Sequence, residues 1–255
     1  MTEPRKVAIV TGSATGIGAA CALRLAGHGY NVVINCTASL TEAEETAAAC
    51  REAGVEVLIL PADVADDGQC RALAQAALDA WGRIDALINN AGRTKFVKAE
   101  DFEGLTAEDF QSIYAVNTVG AFQTARAAAD ALRAANGALV NVSSLSAYTG
   151  LGSSIAYAAS KGALNTLTLS LAQTLAPEVR VNAVCPGYVD TRWMQRTMEP
   201  DRYERFLAGL RKHAPLATVT QADDVAEAVC WFVEGGRTIT GQMLTIDAGM
   251  HLTMG

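Results

Sequence analysis

Tyr157 and Lys161 lie four residues apart in an alanine-rich segment that predicts a helix over residues 155–175. Side chains at this spacing project from the same face of a helix. Ser144 follows an apolar, β-branched run, Ala138–Val142, which predicts a buried strand. A strand end, a loop and a helix can therefore bring a hydroxyl, a phenol and an ammonium group into one pocket.

These three groups suit proton transfer to a carbonyl oxygen. A free phenol has a pKa near ~10, and a neighbouring ammonium favours the phenolate. A general acid or base works best when its pKa lies near the operating pH. The sequence therefore predicts that Lys161 lowers the pKa of Tyr157, and that Ser144 holds a carbonyl oxygen while Tyr157 protonates it.

A glycine-rich turn near the N-terminus could bind the source of hydride. Residues 6–10 predict a strand, followed by Thr-Gly-Ser-Ala-Thr-Gly-Ile-Gly, a helix over residues 17–29 and a strand over 31–35. This unit is typical of dinucleotide binding. Gly12 permits a tight turn, Gly16 and Gly18 let the backbone approach a pyrophosphate, and the helix N-terminus offers free N–H groups.

Strand and helix patterns then alternate to the end of the 255 residues. Near-continuous apolar strands between helices predict an α/β fold with a single doubly wound parallel sheet, Rossmann-like, of about seven strands with helices on both faces. We expect one domain over residues 1–255. Further strands are predicted over residues 55–60, 84–88, 138–142, 179–184 and 243–246, and further helices over residues 40–53, 66–81, 106–135 and 222–233.

Composition excludes several other classes of function. The net charge of −7 argues against a nucleic-acid partner. No run approaches the roughly 18 apolar residues of a membrane span, so no membrane association is expected. The six cysteines show no CxxC spacing and are expected to be reduced thiols in a cytoplasmic protein, and the three scattered histidines give no support for a metal site.

Together the motifs resemble the short-chain dehydrogenases/reductases over essentially the whole chain, nearest to the 3-oxoacyl-carrier-protein reductases. The Gly12 turn is similar to the cofactor motif of that family, Asn89-Asn90-Ala91-Gly92 to its sheet-stabilising motif, and Tyr157-xxx-Lys161 with Ser144 to its catalytic signature. The resemblance implies hydride transfer between a nicotinamide cofactor and a ketone or secondary alcohol of small to medium size.

The resemblance also implies a role for each site residue. Tyr157 would be the acid in reduction and the base in oxidation, Lys161 would hold the nicotinamide ribose, and Asn117 would hold a water that links Lys161 to solvent. The catalytic set is Asn117, Ser144, Tyr157 and Lys161. The expected cofactor-binding residues are Gly12, Ser13, Thr15, Gly16, Ile17, Gly18, Thr37, Asp63, Val64, Asn90, Ala91, Gly92, Tyr157, Lys161, Pro186, Gly187, Val189 and Thr191.

The end of the second strand bears on the choice of cofactor. NAD-binding members of such folds place an acid there on the ribose 2′-hydroxyl. Here no acid occurs until Glu42, and hydroxyls of Ser13, Thr37 and Ser39 could receive a 2′-phosphate, although no basic residue accompanies them. NADP(H) is therefore favoured over NAD(H).

Residues 188–215 combine aromatic side chains with arginines and predict a substrate lid; the alternative is an amphipathic helical flap whose arginines face water.

Basic residues that dock a carrier protein in the nearest subgroup are replaced here by Ala134-Ala135-Asn136 and Ala176-Pro177-Glu178, which puts carrier-protein substrates in doubt. Family resemblance implies a homotetramer. Two other hypotheses stay open: an NAD-dependent alcohol or sugar dehydrogenase, and a non-catalytic dinucleotide-binding sensor or scaffold.

Overall fold

The computed structural model describes residues 4–195 and 198–253. Within these ranges seven parallel strands form one sheet in the order β3-β2-β1-β4-β5-β6-β9, and β7 pairs with β8 in a separate two-stranded sheet. The strands are β1 (Val7–Val10), β2 (Asn31–Cys36), β3 (Val57–Pro61), β4 (Ala86–Asn89), β5 (Ala138–Val142), β6 (Arg180–Pro186), β7 (Val189–Asp190), β8 (Thr220–Gln221) and β9 (Met243–Ile246). The predicted doubly wound parallel sheet is confirmed.

The strand order reverses at β1, which creates a crevice at the carboxyl edge of the sheet. Val10 of β1 pairs with Ile34 of β2 on one side and with Ile88 of β4 on the other. Loops that leave β1 and β4 therefore diverge to opposite faces, and ligands bind at such a point. The turn after β1 and the loops after β4, β5 and β6 all reach this edge.

Helices cover both faces of the sheet because the strands are apolar on both sides. On one face α1 (Gly16–Gly27), α2 (Leu40–Glu52) and α10 (Ala222–Glu234) bury small and aliphatic side chains. On the other face α3 (Asp67–Trp81), α5 (Ala121–Ala135) and α7 (Ile155–Leu175) do the same. The remaining helices are α4 (Ala107–Tyr114), α6 (Ser146–Thr149), α8 (Arg192–Gln195) and α9 (Pro200–His213), with 3-10 turns at Phe102–Gly104 and Met250–Thr253.

The helix predicted over residues 106–135 is not a regular α-helix throughout. Thr106 and Asp109 form a capping box that starts α4, and a π-helical segment, Ala115–Gly120, separates α4 from α5. Gly120 packs so closely on Val64 that an added Cβ would lie 2.7 Å from Val64 Cγ2. An apolar pattern with a period of 3.6 residues cannot reveal a π turn, which adds one residue to a single turn.

The segment predicted as a lid contains two helices, α8 and α9. In α9, Tyr203 and Leu207 are buried while Arg202 and Arg205 are exposed, so this helix is amphipathic and its arginines face water. Residues 196 and 197 of the predicted lid lie outside the described ranges. No helix in the described part of the chain has the length and apolar character needed to cross a bilayer.

Candidate functional site

A cleft of about 1070 Å³ opens at the carboxyl edge of the sheet. Its floor is formed by the turn after β1 and by the ends of β5 and β6. Phe96, Lys98, Tyr188 and Phe206 also line the cleft. A concave, mostly apolar site with a few convergent polar groups is the usual form of a small-molecule site.

Helix α7 brings Tyr157 and Lys161 into this cleft, as their spacing predicted. Ser154 caps the helix by accepting a hydrogen bond from the backbone N–H of Tyr157 (3.3 Å). Lys161 is buried, its Nζ donates to the carbonyl oxygen of Val142 at 2.7 Å, and the same Nζ lies 5.7 Å from the centroid of the Tyr157 ring. The ammonium group is thus held between the end of β5 and the tyrosine ring.

The electrostatics of this pair differ from the sequence prediction. Burial raises the pKa of the Tyr157 phenol, and a hydrogen bond from Ser144 acts in the opposite direction. Burial lowers the pKa of Lys161 to about 8. The prediction that Lys161 lowers the pKa of Tyr157 is wrong for this structure, because desolvation of the phenol outweighs its partners and the Lys161 ammonium is directed at the Val142 carbonyl.

Ser144 lies just beyond β5 and faces Tyr157 across the cleft floor. Its side chain is buried, and its Oγ accepts a hydrogen bond from the backbone N–H of Ser146 at 3.1 Å. The Oγ atoms of Ser144 and Ser146 are also 3.1 Å apart. The strand end and the first turn of α6 therefore fix the hydroxyl that the sequence singled out.

Asn117 lies in the π-helical segment and does not line the cleft. Its Oδ1 accepts from the backbone N–H of Arg93 at 2.7 Å, and its Nδ2 donates to Arg93 O at 3.0 Å and to Ser160 Oγ at 2.9 Å. Through these bonds the side chain ties the loop after β4 to α7. The catalytic role expected for Asn117 stays a prediction.

The turn between β1 and α1 is built around Gly12, which has a φ of +60°. A Cβ at this position would lie 2.9 Å from the Cα of Ala91. Asn90 Nδ2 donates to the carbonyl oxygens of both Thr11 and Gly12 at 2.9 Å, which locks the turn to the loop after β4. This close approach explains why the turn requires glycine and why an amide follows β4.

Most of the expected cofactor-binding residues line the cleft: Gly12, Thr15, Gly16, Ile17, Asn90, Ala91, Gly92, Tyr157, Lys161, Pro186, Gly187, Val189 and Thr191. Gly16 lies next to Thr191, since a Cβ at Gly16 would lie 3.7 Å from Thr191 Cγ2. Thr15 is the N-cap of α1 but makes no side-chain capping bond. The first N–H groups of α1 therefore face the cleft without a side-chain acceptor from Thr15, as a phosphate site requires.

Five expected cofactor-binding residues do not line the cleft. Ser13 is buried and its hydroxyl donates to Val10 O at 2.7 Å, so it is used within the turn. Gly18 is packed under Gly12, with room for no Cβ. Thr37 and Asp63 are exposed outside the cleft, where the Asp63 carboxylate accepts from Ala65 N at 2.9 Å, and Val64 is buried beneath the π segment.

Several cleft residues were not predicted as site residues from the sequence. At the end near α2, Ser39 and Glu42 join Thr15 in the wall. Near Tyr157, the wall includes Ser146 and a loop pair in which Val97 N donates to Ser153 O at 2.8 Å. Ser39 and Glu42 had a sequence signal, Ser39 as a hydroxyl that could receive a 2′-phosphate and Glu42 as the first acid after β2. The loops carry no motif, and their pairing depends on tertiary contacts.

The chain has relatives that match it over most of its length. A family model described as enoyl-(acyl carrier protein) reductase matches residues 12–251. A protein named as the second ketoacyl reductase of the granaticin polyketide synthase of Streptomyces violaceoruber is 42% identical over 247 residues, 96% of each chain. A 3-oxoacyl-[acyl-carrier-protein] reductase of Staphylococcus aureus is 31% identical over 250 residues, 97% of this chain and 98% of the relative.

A solved structure described as a short-chain dehydrogenase/reductase from Burkholderia xenovorans superposes with a TM-score of 0.91 at 41% identity, covering 98% of this chain and 100% of that one. Fold, cleft and comparisons together define an NAD(P)-dependent oxidoreductase that acts on a ketone or an alcohol. The chain belongs to the short-chain dehydrogenase/reductase family.

Proposed function

We propose that this chain is a single catalytic domain that reduces a ketone with NADPH, with Tyr157 as the proton donor. The observation that carries the proposal is the convergence of Ser144, Tyr157 and Lys161 on one cleft beside the glycine turn. Residues 188–215 would serve as a lid over the substrate, because Tyr188 and Phe206 pack edge-to-face with centroids 5.0 Å apart and both line the cleft.

The residues present fit a dinucleotide. The N-terminus of α1 would hold the pyrophosphate, next to the adjacent residues Gly16 and Thr191. Gly187 and Val189 would bracket the nicotinamide, and Lys161 would hold the adjoining ribose. When bound, the cofactor would supply the hydride, while the protein would orient the cofactor and the ketone and provide the electrostatic environment.

The residues around Tyr157 would allow its phenol to donate the proton that ketone reduction requires. Ser144 would donate a hydrogen bond to the ketone oxygen and so fix it beside the phenol. Because burial raises the pKa of Tyr157, the phenol stays protonated at neutral pH and is ready to donate to the developing alkoxide. Lys161, with a pKa lowered to about 8, is still largely cationic at neutral pH, which keeps its hydrogen-bond donors available for the ribose hydroxyls.

The preference for NADPH rests on the end of β2, where Asn35, Cys36 and Thr37 carry no acid. Thr15 and Ser39 line that end of the cleft and would bond a 2′-phosphate. Glu42 lines it too, so its carboxylate would repel the phosphate and reduce the preference.

The cofactor choice is tested by titrating NADPH and NADH into the wild type and Glu42→Gln. We expect the wild type to bind NADPH more tightly, and Glu42→Gln to widen that difference, because a repulsive charge is removed. Glu45→Gln, at an exposed position of the same helix, is the matched control and should bind both as the wild type does. Equal or reversed affinities in the wild type would refute the NADPH proposal.

The substrate class is a ketone or secondary alcohol of small to medium size, and 3-oxoacyl compounds are included because two relatives carry such names. Lys98 and Arg192 line the cleft and would attract an anionic ketone. A panel of ethyl acetoacetate, acetoacetyl-coenzyme A, diacetyl and cyclohexanone, followed by nicotinamide absorbance with both cofactors, tests the class. No turnover of any ketone or of the matching alcohols would contradict it.

We also propose a cytoplasmic homotetramer. Exposed apolar side chains on the helices that would meet across one axis are Val119, Phe122 and Leu169, and Leu244 of β9 is exposed at the edge of the sheet. All six cysteines are buried free thiols, which suits a reducing compartment. Light scattering should give four times the chain mass; a monomeric mass would contradict the assembly.

A further inference from the structure

Asn35 lies near the carboxyl end of β2, where it is 2% exposed and hydrogen-bonded through both ends of its amide. Its Oδ1 accepts from the backbone N–H of Gly12 at 3.1 Å. Its Nδ2 donates to the carbonyl oxygens of Leu60 and Ala62 at 3.1 Å and 2.9 Å. One side chain therefore joins the turn after β1 to the end of β3 and the segment that follows it.

The chemistry of these partners matches an amide and fixes its orientation. A primary amide has one oxygen that accepts and one nitrogen with two protons to donate. The backbone N–H of Gly12 needs an acceptor, and the two carbonyl oxygens need donors. A carboxylate has no proton for the carbonyl oxygens, and an aliphatic side chain would leave the Gly12 N–H without this acceptor.

Two further sets of bonds hold the same turn. The backbone N–H of Ser13 donates to Asn35 O at 2.8 Å, and the backbone N–H of Asn35 donates to Ser13 Oγ at 3.0 Å. From the other side, Asn90 Nδ2 donates to Gly12 O at 2.9 Å. The N–H and the carbonyl of Gly12 are thus each bonded to a side-chain amide, one from β2 and one from the loop after β4.

The Gly12 turn leads directly into the part of the cleft where a pyrophosphate would bind. Only residues 13–15 separate Gly12 from Gly16, the first residue of α1. A shift of Gly12 would therefore move the first turn of α1, whose N–H groups would bind the phosphates. Gly12 and Gly16 line the cleft, whereas Asn35 lies behind the turn and does not.

We infer that Asn35 is a positioning residue for the nicotinamide cofactor, which it does not contact, and that it acts by fixing the Gly12 turn. The inference rests on the proposed function in one respect, since it takes the pyrophosphate to lie at the N-terminus of α1. Without the amide, the Gly12 N–H loses its acceptor and the turn loses its link to the end of β3.

The test measures the dissociation constants of NADPH and NADH by nicotinamide fluorescence in the wild type, Asn35→Ala and Asn35→Ser. The serine hydroxyl lies one bond short of the amide atoms, so Asn35→Ser also lacks the link and serves as the test variant if Asn35→Ala does not fold. Both constants should rise by a similar factor, roughly 3- to 10-fold, the size expected for one neutral hydrogen bond. The factor is shared because both cofactors carry the same pyrophosphate. The KM for the ketone at saturating cofactor should stay close to the wild-type value.

Asn31→Ala is the matched control, because Asn31 is a buried asparagine at the other end of the same strand. It is 5% exposed, and its Oδ1 accepts from Glu56 N at 3.0 Å. Its replacement should lower the urea midpoint but leave both dissociation constants at their wild-type values. Circular dichroism shows that each variant is folded before its affinities are compared.

Dissociation constants in the folded Asn35 variants equal to those of Asn31→Ala would overturn the inference and leave the proposed function standing. A rise for NADPH alone would also overturn it, because the effect would then lie at the 2′-phosphate. A wild type that binds neither dinucleotide would overturn the proposed function and the inference with it.

Discussion

Replacement of Asn117 by alanine tests the role that the structure gives to this side chain. The amide makes three hydrogen bonds, two to the backbone of Arg93 and one to Ser160 Oγ, and the residue is 1% exposed. A neutral hydrogen bond contributes about 0.5–1.5 kcal/mol net, so Asn117→Ala should lower the free energy of unfolding by roughly 2–4 kcal/mol. A residue that served only to hold a water on a catalytic relay would leave stability almost unchanged.

The measurement is urea unfolding followed by circular dichroism at one fixed protein concentration. Thr118→Val is the matched control, because Thr118 lies in the same π segment and its hydroxyl makes one bond, to Ser160 O at 3.1 Å. We expect the control to lose about 1 kcal/mol, well below the loss in Asn117→Ala. An unfolding free energy of Asn117→Ala within about 0.5 kcal/mol of the wild type would refute the claim that the Asn117 side chain stabilises the fold by tying the loop after β4 to α7.

Two further predictions concern the cofactor end of the cleft. Gly12→Ala should lower the unfolding free energy by at least about 1–2 kcal/mol, because φ is +60° and the new Cβ would meet the Ala91 backbone. The control is Gly27→Ala at the end of α1, where an added Cβ would meet nothing within 4 Å. This control should unfold at or above the wild-type urea midpoint. Because burial lowers the pKa of Lys161 to about 8, its charge is present below that pH and lost above it, so NADPH affinity in a fluorescence titration should fall as the pH rises through about 8. Lys161→Met should lack that pH dependence, and a flat wild-type profile would contradict the reasoning.

Much of the fold follows from local sequence patterns. The apolar runs of β1 and β5, the glycine turn at Gly12 and the spacing of Tyr157 and Lys161 each fix an element without knowledge of its neighbours. Asp66 is the N-cap of α3, where its side chain accepts a hydrogen bond from Gln69 N, the usual role of an aspartate just before a helix. Alternation of strands and helices then leaves few arrangements other than a doubly wound sheet.

The features that the sequence could not reveal depend on contacts between distant segments. Ser13 and Thr37 are hydroxyl residues in the expected region, yet one is used inside the turn and the other is exposed outside the cleft. The π turn at Asn117 arises where Gly120 meets Val64, a contact with the segment after β3. The pKa of Tyr157 depends on how deeply the phenol is buried, which residue spacing does not encode.

The central claim is that the Tyr157 phenol donates the proton to the ketone oxygen, and Tyr157→Phe tests it most directly. The substitution removes only the hydroxyl and keeps the ring against which Lys161 and Gly152 pack. The account predicts a fall in kcat for ketone reduction of about 10²- to 10⁴-fold, the usual contribution of a general acid, with NADPH affinity within about threefold of the wild type. Ketone turnover by folded Tyr157→Phe within tenfold of the wild type would contradict the account.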